Sequence, residues 1–294
     1  MSITVPKIKK GLFVGINYRN TPNELYGCVN DVVHFRNAIC DAYCYELKNV
    51  VVLRDDSTIP ELQPTRENIL NQLRTLVAGS AQCEEIFFHY SGHGSRVIDR
   101  DGDEKYNGGY DSVIVPVNYS TAGLITDDEL LSIIKNARCR FILVFDSCNS
   151  SSICDLKYQI DYVSPTQFSI SSNPLRPVLE NKQIYCLSGC HEQGFSADTF
   201  SDDQKQAVGA FTDALISMIR ANNYTIPLIY LYRSVCMYLK ETGYEQIPVL
   251  SCSGPTPNYI LSRPEYKIPQ TIPVKNPQQI ISSYMNDLIH RGMK

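Results

Sequence analysis

Short runs of β-branched and aromatic residues alternate along the chain with segments whose apolar side chains recur every three to four positions. The predicted strands are residues 11–16, 49–53, 85–89, 112–117 and 140–145, and the predicted helices are 31–45, 65–77 and 127–135. The strands are apolar at almost every position, which is typical of a parallel sheet covered on both faces. This alternation predicts an α/β fold, with a mostly parallel central sheet flanked by helices on both faces.

A second region follows residue 155. Residues 156–182 contain Pro165, Pro174 and Pro177 and many polar side chains, which favours an irregular connecting loop. Residues 183–187 and 247–251 are predicted strands, and 208–220 and 228–242 are predicted helices. The chain is therefore divided into 1–155, 156–182, 183–262 and a proline-containing tail, 263–294, all expected to form one structural unit. The amphipathic end of the tail is expected to pack on the same chain, with a partner-binding arm as the alternative.

Composition narrows the class of protein. The 294 residues include 27 basic and 31 acidic side chains, a formal net charge of −4, which argues against a general nucleic-acid or anionic-membrane surface. No apolar run approaches the roughly 20 residues of a membrane span, and the start lacks the apolar core of a signal peptide. Eleven cysteines cannot all pair within one chain. We therefore expect reduced thiols and a cytoplasmic protein.

Two predicted strands end in residues that can carry chemistry. FFHYSGHGS, residues 87–95, places His93 between glycines, and RFILVFDSCNSSS, residues 140–152, places Cys148 after another strand. In an open α/β sheet, such positions line the ligand crevice. An imidazole beside a thiol favours the reactive thiolate, so His93 and Cys148 are the predicted base and nucleophile of a catalytic dyad.

The same segments resemble the two active-site signatures of metacaspases, which are caspase-related cysteine peptidases. The resemblance extends from GLFVGINY to PVLSCSG and includes LYGCVND, DRDGDEKYNGGYDSVIVPV, SGCHEQGFSADT and GAFTDAL. It implies a caspase-like (caspase-haemoglobinase) fold, with 1–155 as the p20-like and 183–262 as the p10-like region. It also implies endopeptidase activity after Arg or Lys and activation by Ca²⁺. The arrangement is similar to type I members, without their prodomain.

One departure from the family pattern follows the cysteine. Metacaspases usually have D-S/C-C-H-S-G, whereas this chain continues with Asn149, Ser150 and Ser151. The replaced histidine is not the dyad base, so both predicted catalytic residues are retained. Activity is expected, and the change bears on the shape of the loop after the cysteine.

Two aspartates suggest the substrate preference. Asp146 lies two residues before Cys148, and Asp31 opens a predicted helix. If the sheet brings them together, they form a pocket that suits a guanidinium or an ammonium group. The alternative is that Asp31 only caps its helix. By resemblance, Cys28 and Ser91 complete the pocket wall; the backbone N–H groups of Gly94 and Cys148 are the candidate oxyanion donors.

Acidic residues also suggest a metal site. Asp99, Asp101 and Asp103 do not follow the EF-hand pattern, and a solvated loop is the favoured interpretation. By resemblance, Asp111, Asp127, Asp128 and Asp155 match the metacaspase calcium ligands. Asp127 and Asp128 could instead be ordinary acids at a helix N-terminus. Ca²⁺ is the expected activator, and no organic cofactor is expected.

Other hypotheses remain open from the sequence. A catalytically weak or inactive member could act as a binding or regulatory module, and a nucleotide-type α/β enzyme is disfavoured because the glycine-rich phosphate loops are missing. Self-cleavage could use basic residues on segments expected to be exposed, namely Lys9, Lys10, Lys157, Arg176 and Lys182. A monomer that cleaves peptides with a basic P1 residue is expected. The pairs Cys40/Cys44 and Cys186/Cys190, the latter followed by His191, are too sparse for a closed zinc site.

Overall fold

The computed structural model describes residues 8–100, 102, 104, 108–148, 152–189, 198–201, 206–244 and 246–263, with the backbone alone for 198–201 and 206–208. The loop after Cys148 (149–151) and the tail from residue 264 onward lie outside the described residues. The predictions made for those segments therefore stay predictions.

The strands and helices follow the hydrophobic pattern of the chain. The strands are β1 (Ile8–Gly15), β2 (Val50–Arg54), β3 (Cys83–Ser91), β4 (Gly94–Ile98), β5 (Tyr110–Ile114), β6 (Ile125–Thr126), β7 (Arg140–Asp146), β8 (Tyr158–Ser164), β9 (Gln167–Ser172), β10 (Ile184–Ser188), β11 (Asp198–Ser201), β12 (Gln206–Gly209), β13 (Ile226–Pro227), β14 (Val249–Cys252) and β15 (Ile260–Leu261). The helices are α1 (Cys28–Tyr43), α2 (Arg66–Ala78), α3 (Tyr119–Ala122), α4 (Asp127–Ile134), α5 (Ala210–Ala221) and α6 (Leu228–Glu241).

The central sheet, as the described residues form it, has eight strands in the order β2-β1-β3-β7-β10-β14-β8-β9. Strands β2, β1, β3, β7 and β10 are parallel, whereas β14, β8 and β9 pair antiparallel. Strands from before and after residue 155 thus share one sheet. Because β3 and β7 are parallel neighbours, their carboxyl ends lie at the same edge.

Each face of the sheet carries its own hydrophobic core. Apolar residues of α1, α5 and α6 pack on one face around Phe13, and those of α2 and α4 pack on the other around Leu12. The two faces follow from the strand alternation, since neighbouring residues of β1 point to opposite sides. The expectation of an α/β sheet with helices on both faces is confirmed.

Two expectations about local structure are wrong. Residues 156–182 are not an irregular loop throughout, because β8 and β9 form an antiparallel hairpin that extends the central sheet. This hairpin lies at the sheet edge and is polar on most positions, so it lacks the continuous apolar run of a buried strand. The predicted strand at 112–117 exists as β5, but it pairs antiparallel with β4 and β6 in a small separate sheet.

The starts of α2 and α4 follow standard capping chemistry. The side chain of Thr65, before α2, accepts a hydrogen bond from the backbone N–H of Asn68. Thr126 and Glu129 form a capping box at the start of α4, which satisfies two backbone donors reciprocally. In the part of the chain that the structure describes, no helix combines the length and the apolar character that a membrane crossing requires.

The buried side chain of His89 tests whether the core of the central sheet keeps an imidazole neutral. It is fully buried in β3, with its ring centroid 4.6 Å from that of Phe35 and its Nε2 3.4 Å from Oγ1 of Thr212. Burial lowers its pKa to about 3. The unfolded chain takes up this proton near pH 6.5, so stability is full above pH 6.5 and is lost as the pH falls towards 3.

We therefore expect His89 alone to reduce the free energy of unfolding by about 2 kcal/mol between pH 7 and pH 5. Urea unfolding of the wild type and of His89→Asn at both pH values measures this contribution. The variant should be less stable at pH 7 but should lose less stability on acidification. Equal losses in the two proteins would contradict a neutral, buried imidazole.

Candidate active site and metal site

The site begins where β3 and β7 end side by side. Their register pairs Ser91 with Asp146, and the backbone N–H of Gly92 donates to the carbonyl oxygen of Asp146 at 3.3 Å. A β-carbon built on Gly94 would overlap the carbonyl oxygen of Cys148, so only glycine permits this approach. The turns that carry His93 and Cys148 are therefore in contact, and both residues are partly exposed.

The His93 ring is oriented by two residues that the sequence analysis missed. Its Nε2 lies 2.7 Å from the backbone carbonyl oxygen of Asn23, and the Tyr18 ring packs at a centroid distance of 4.6 Å. The hydroxyl of Tyr18 also accepts the backbone N–H of His93 at 3.0 Å. A carbonyl oxygen can only accept, so Nε2 carries a proton in the neutral ring and Nδ1 is the acceptor nitrogen.

The two predicted pocket aspartates lie close together at the foot of this edge. Asp31 accepts hydrogen bonds from Ser91 Oγ at 2.6 Å and from the backbone N–H of Gly209 at 2.7 Å. Asp146 accepts from the backbone N–H of Thr212 at 3.0 Å and from its hydroxyl at 2.8 Å. A β-carbon on Gly209 would overlap Asp146 Oδ2 and lie 3.0 Å from Asp31 Oδ2, which shows how closely the carboxylates converge.

The helix-cap interpretation of Asp31 is wrong. Helix α1 begins at Cys28 and its N-cap is Gly27; the side chain that accepts a backbone N–H of its first turn is that of Asn17, whose Oδ1 lies 3.1 Å from the backbone N of Val29. Asp31 lies in the first turn, almost completely buried, and its carboxylate bonds across the molecule to β3 and to the start of α5. Cys28 is buried at this helix start, and a β-carbon built on Gly15, the register partner of Ser91, would lie 2.7 Å from its carbonyl oxygen. All four predicted pocket residues therefore lie within elements that meet at one edge of the sheet.

Thr212 and Gly209 are part of the site, but the sequence analysis assigned them no role. Gly209 is the N-cap of α5, and Thr212 lies in its first turn. Their N–H groups are among those that a helix start leaves without internal partners, and here they bind the two carboxylates. A glycine at the second position of the predicted helix 208–220 was the available signal, since glycine is tolerated at N-caps and disfavoured inside helices.

The predicted calcium ligands form two overlapping groups. Asp111, Asp127 and Asp128 can each offer an oxygen within 4.8 Å of the others. Glu104, Asp127 and Asp155 form a second group by the same criterion. Asp127 thus belongs to both groups, whereas Asp155 belongs only to the group that contains Glu104.

These acids are unlike ordinary helix-terminal or surface carboxylates. Asp127 is buried, accepts the backbone N–H of Ser112 at 2.6 Å, and has a raised pKa because burial and the charges of Asp111 and Glu104 disfavour ionisation. Burial and the charge of Asp127 likewise raise the pKa of Asp155, against the opposing charge of Arg176. Asp127 does lie in the first turn of α4, as the alternative of an ordinary helix N-terminal acid has it, but its burial among other acids shows that this is not its whole environment.

The chemistry of this cluster fits a hard divalent cation. Its donors are carboxylate oxygens, which suit Ca²⁺ in flexible geometry. Oε2 of Glu104 is buried and has no hydrogen-bond donor among the described residues. A bound cation would supply the positive charge that this oxygen and the ionised aspartates require.

Glu104 and Arg176 are the main omissions of the sequence analysis at this cluster. Asp99 holds the acidic loop by accepting the backbone N–H groups of Gly102 at 2.7 Å and Glu104 at 3.1 Å. Glu104 is therefore buried rather than solvated, and Asp101 and Asp103 lie outside the described residues.

Arg176, which we expected on an exposed segment, is only 4% exposed and pairs with Glu104.

The described cysteines are all free thiols. Cys40 is buried in α1, which raises its pKa to about 11, whereas Cys44 is exposed just after the helix. Cys186 is buried in β10, and Cys190 and His191 lie outside the described residues. Cys148 differs from the buried thiols in its partial exposure at a strand end.

Comparison with known proteins gives a consistent family match. The family model described as "Metacaspase, peptidase C14 domain" matches residues 9–157. Metacaspase-1B of Aspergillus oryzae is 33% identical over 299 residues, covering 86% of this chain and 70% of that protein. Metacaspase-1 of Scheffersomyces stipitis is 40% identical over 294 residues, covering 84% and 71%. Metacaspase-1A of Neurospora crassa is 33% identical, and the match spans 63% of its length.

Solved structures support the fold. A protein from Geobacter sulfurreducens superposes with a TM-score of 0.59 at 18% identity, covering 87% of this chain and 98% of that one. Caspase-1 from Spodoptera frugiperda superposes with a TM-score of 0.51 at 10% identity, covering 88% and 92%. The predicted caspase-like fold is thereby confirmed.

Proposed function

Because this chain belongs to the metacaspase family of cysteine peptidases, we propose that it hydrolyses peptide bonds after Arg or Lys. Cys148 is the nucleophile, and His93 is the base and then the acid. The observation that carries this proposal is the contact between Gly94 and Cys148, because it joins the two turns that hold the thiol and the imidazole.

The proposed chemistry uses the tautomer that Asn23 favours. With Nε2–H donating to the Asn23 carbonyl, Nδ1 of His93 takes the proton of the Cys148 thiol. The thiolate then attacks the substrate carbonyl carbon, and the imidazolium returns its proton to the departing amine. Water, deprotonated by the same imidazole, cleaves the resulting thioester and regenerates the thiol.

The tetrahedral intermediate requires hydrogen-bond donors where its oxygen becomes negative. We assign this role to the backbone N–H groups of Gly94 and Cys148. Fixed backbone donors suit the role because they need no reorganisation as charge develops. The close packing of these two residues supports their assignment to a single oxyanion site.

The preference for a basic P1 residue rests on Asp31 and Asp146. Two carboxylates that converge in a buried place attract a cation and repel an acidic side chain. Their bonds to Ser91, Gly209 and Thr212 hold both groups in fixed orientations, which reduces the entropic cost of substrate binding. Cys28 is assigned to the wall of the same pocket.

Peptidase activity is tested with four fluorogenic peptides that differ only at P1: Arg, Lys, Ala and Asp. We expect cleavage after Arg and Lys with Ca²⁺ present and a rate for the Asp peptide at least about a hundredfold lower. Cys148→Ala should abolish cleavage, whereas Cys44→Ser, which removes an exposed thiol elsewhere, should leave it intact. Retained cleavage by pure Cys148→Ala would contradict the dyad. A folded wild type that cleaves none of the peptides would favour a binding or regulatory module.

Calcium activation is the second part of the proposal. Asp111, Asp127, Asp128 and Asp155 would hold the ion, which would supply charge compensation when bound. Asp155 follows the nucleophile by seven residues, and the hydroxyl groups of Ser112 and Ser152 lie 2.7 Å apart. Through these contacts, the position of the acids is linked to the chain that leaves Cys148.

We therefore expect cleavage of the Arg peptide to rise at least about tenfold with millimolar Ca²⁺ and to fall again when a chelator is added. Asp127→Ala combined with Asp128→Ala should remove the response. The matched control is Asp41→Ala, at an exposed acid on α1, which should respond as the wild type does. A wild type that is equally active with and without Ca²⁺ would contradict the switch.

Three further expectations remain proposals. The arrangement of β14, which is the last strand of the central sheet in chain order, supports a monomer. It is paired on both sides, with β10 and β8, and so has no free edge for a second copy. Cytoplasmic residence would keep the thiol of Cys148 reduced. For self-cleavage, Lys182 is exposed, whereas Lys9 and Lys10 lie half-buried in β1 and Lys157 is half-buried near the acids.

A further inference from the structure

A buried arginine lies among the acids of the candidate calcium site. Nη2 of Arg176 donates to Oε1 of Glu104 at 2.5 Å and lies 3.0 Å from Oδ1 of Asp155. Nη1 of the same side chain donates to the backbone carbonyl of Leu156 at 3.3 Å. Arg176 is 4% exposed and both acids are 2% exposed or less, so these charges interact in a poorly screened environment.

The acids of this cluster lie between two possible cations, the guanidinium of Arg176 and the proposed calcium ion. Asp155 shares its triad with Glu104 and Asp127, next to the guanidinium, whereas Asp111 and Asp128 form the other triad with Asp127. A calcium ion held by Asp111, Asp127, Asp128 and Asp155 would therefore have to take Asp155 away from Arg176 or share it. In both cases the guanidinium opposes the ion, because it stabilises the ion-free arrangement and repels a second positive charge.

We propose that Arg176 is an internal cation that competes with Ca²⁺ for Asp155 and Glu104 and thereby sets the calcium affinity of the site. This inference rests on the calcium binding proposed above. In the ion-free protein, Arg176 pairs with two buried acids and offsets part of the repulsion between them. In the ion-bound protein, the guanidinium of Arg176 weakens calcium binding. The calcium affinity therefore reflects the difference in free energy between pairing the acids with Arg176 and pairing them with the ion.

The position of Arg176 connects this competition to the segment that follows the β8–β9 hairpin. Arg176 follows the β8–β9 hairpin, and Nζ of Lys157 donates to its carbonyl oxygen at 3.2 Å and to that of Asn173 at 3.4 Å. Lys157 itself lies two residues after Asp155. The segment 173–176 is thus held to the chain beside Asp155, and displacement of the guanidinium would loosen that attachment.

Isothermal titration with CaCl₂ measures the competition without relying on catalysis. The full chain carrying Cys148→Ala is the reference, so that no chain is cut during the titration. Adding Arg176→Gln should tighten calcium binding about tenfold, because it removes the opposing charge. Arg176→Lys, which keeps the charge, and Arg138→Gln, which removes an exposed arginine elsewhere, should each stay within about twofold of the reference.

Arg176→Gln leaves Glu104 and Asp155 buried without their cation, which could prevent folding. A second comparison reduces this difficulty by starting from Glu104→Gln, because only Asp155 then loses its cation. Glu104→Gln alone should bind calcium more weakly than the reference, because Arg176 is then left to Asp155. Adding Arg176→Gln to Glu104→Gln should restore tighter binding.

The outcomes separate this inference from the proposed function. Calcium binding by the reference with unchanged or weaker binding by Arg176→Gln, alone and in the Glu104→Gln background, would overturn the competition and leave the calcium site standing. Binding of calcium by none of the folded proteins would overturn both. A gain of affinity in Arg138→Gln as large as the gain in Arg176→Gln would reduce the effect to net charge and would also overturn the inference.

Discussion

The parallel register between β3 and β7 is the constraint on which the rest of the site depends. It aligns Ser91 with Asp146, so the residues that follow each strand emerge side by side at one edge of the sheet. Gly94 then allows the His93 turn to touch the Cys148 turn. A shift of one residue in this register would send each side chain to the other face of the sheet and separate the thiol from the imidazole. The large apolar cores on both faces stabilise this alignment.

The second organising feature is buried negative charge. Asp31 and Asp146 lie at the sheet edge that carries Cys148, and another cluster of acids lies between β5, α4 and the chain that follows Cys148. In each place the protein supplies partial compensation: the N-terminus of α5 bonds Asp31 and Asp146, and Arg176 pairs with Glu104 and Asp155. On the proposed function, a cation completes this compensation in each place: a basic substrate side chain at the first and a metal ion at the second.

The sequence predicts the parts of this structure that are local. Strands, helices and the strand-end positions of His93 and Cys148 are visible because hydrophobic periodicity and turn residues act over a few positions. The contacts that orient the site are not local. Arg176 meets Glu104 across 72 residues, and Gly209 meets Asp31 across 178. Arg176 resembled an exposed loop arginine and Thr212 an ordinary helix residue, because nothing near them in the sequence reveals a partner. The β8–β9 hairpin was missed because an edge hairpin needs little apolar surface and therefore leaves no strong hydrophobic pattern in the sequence.

The central claim is that one edge of the sheet holds both the nucleophile and a pocket for a basic side chain. A crystal structure of the protein treated with a peptidyl-arginyl chloromethyl ketone tests it most directly, because the thiolate displaces chloride and forms a stable carbon–sulfur bond. The account predicts that this bond is made to Sγ of Cys148, with the guanidinium within hydrogen-bonding distance of Asp31 and Asp146. A bond to another cysteine, or a guanidinium directed into solvent while the two aspartates keep their present contacts, would contradict it.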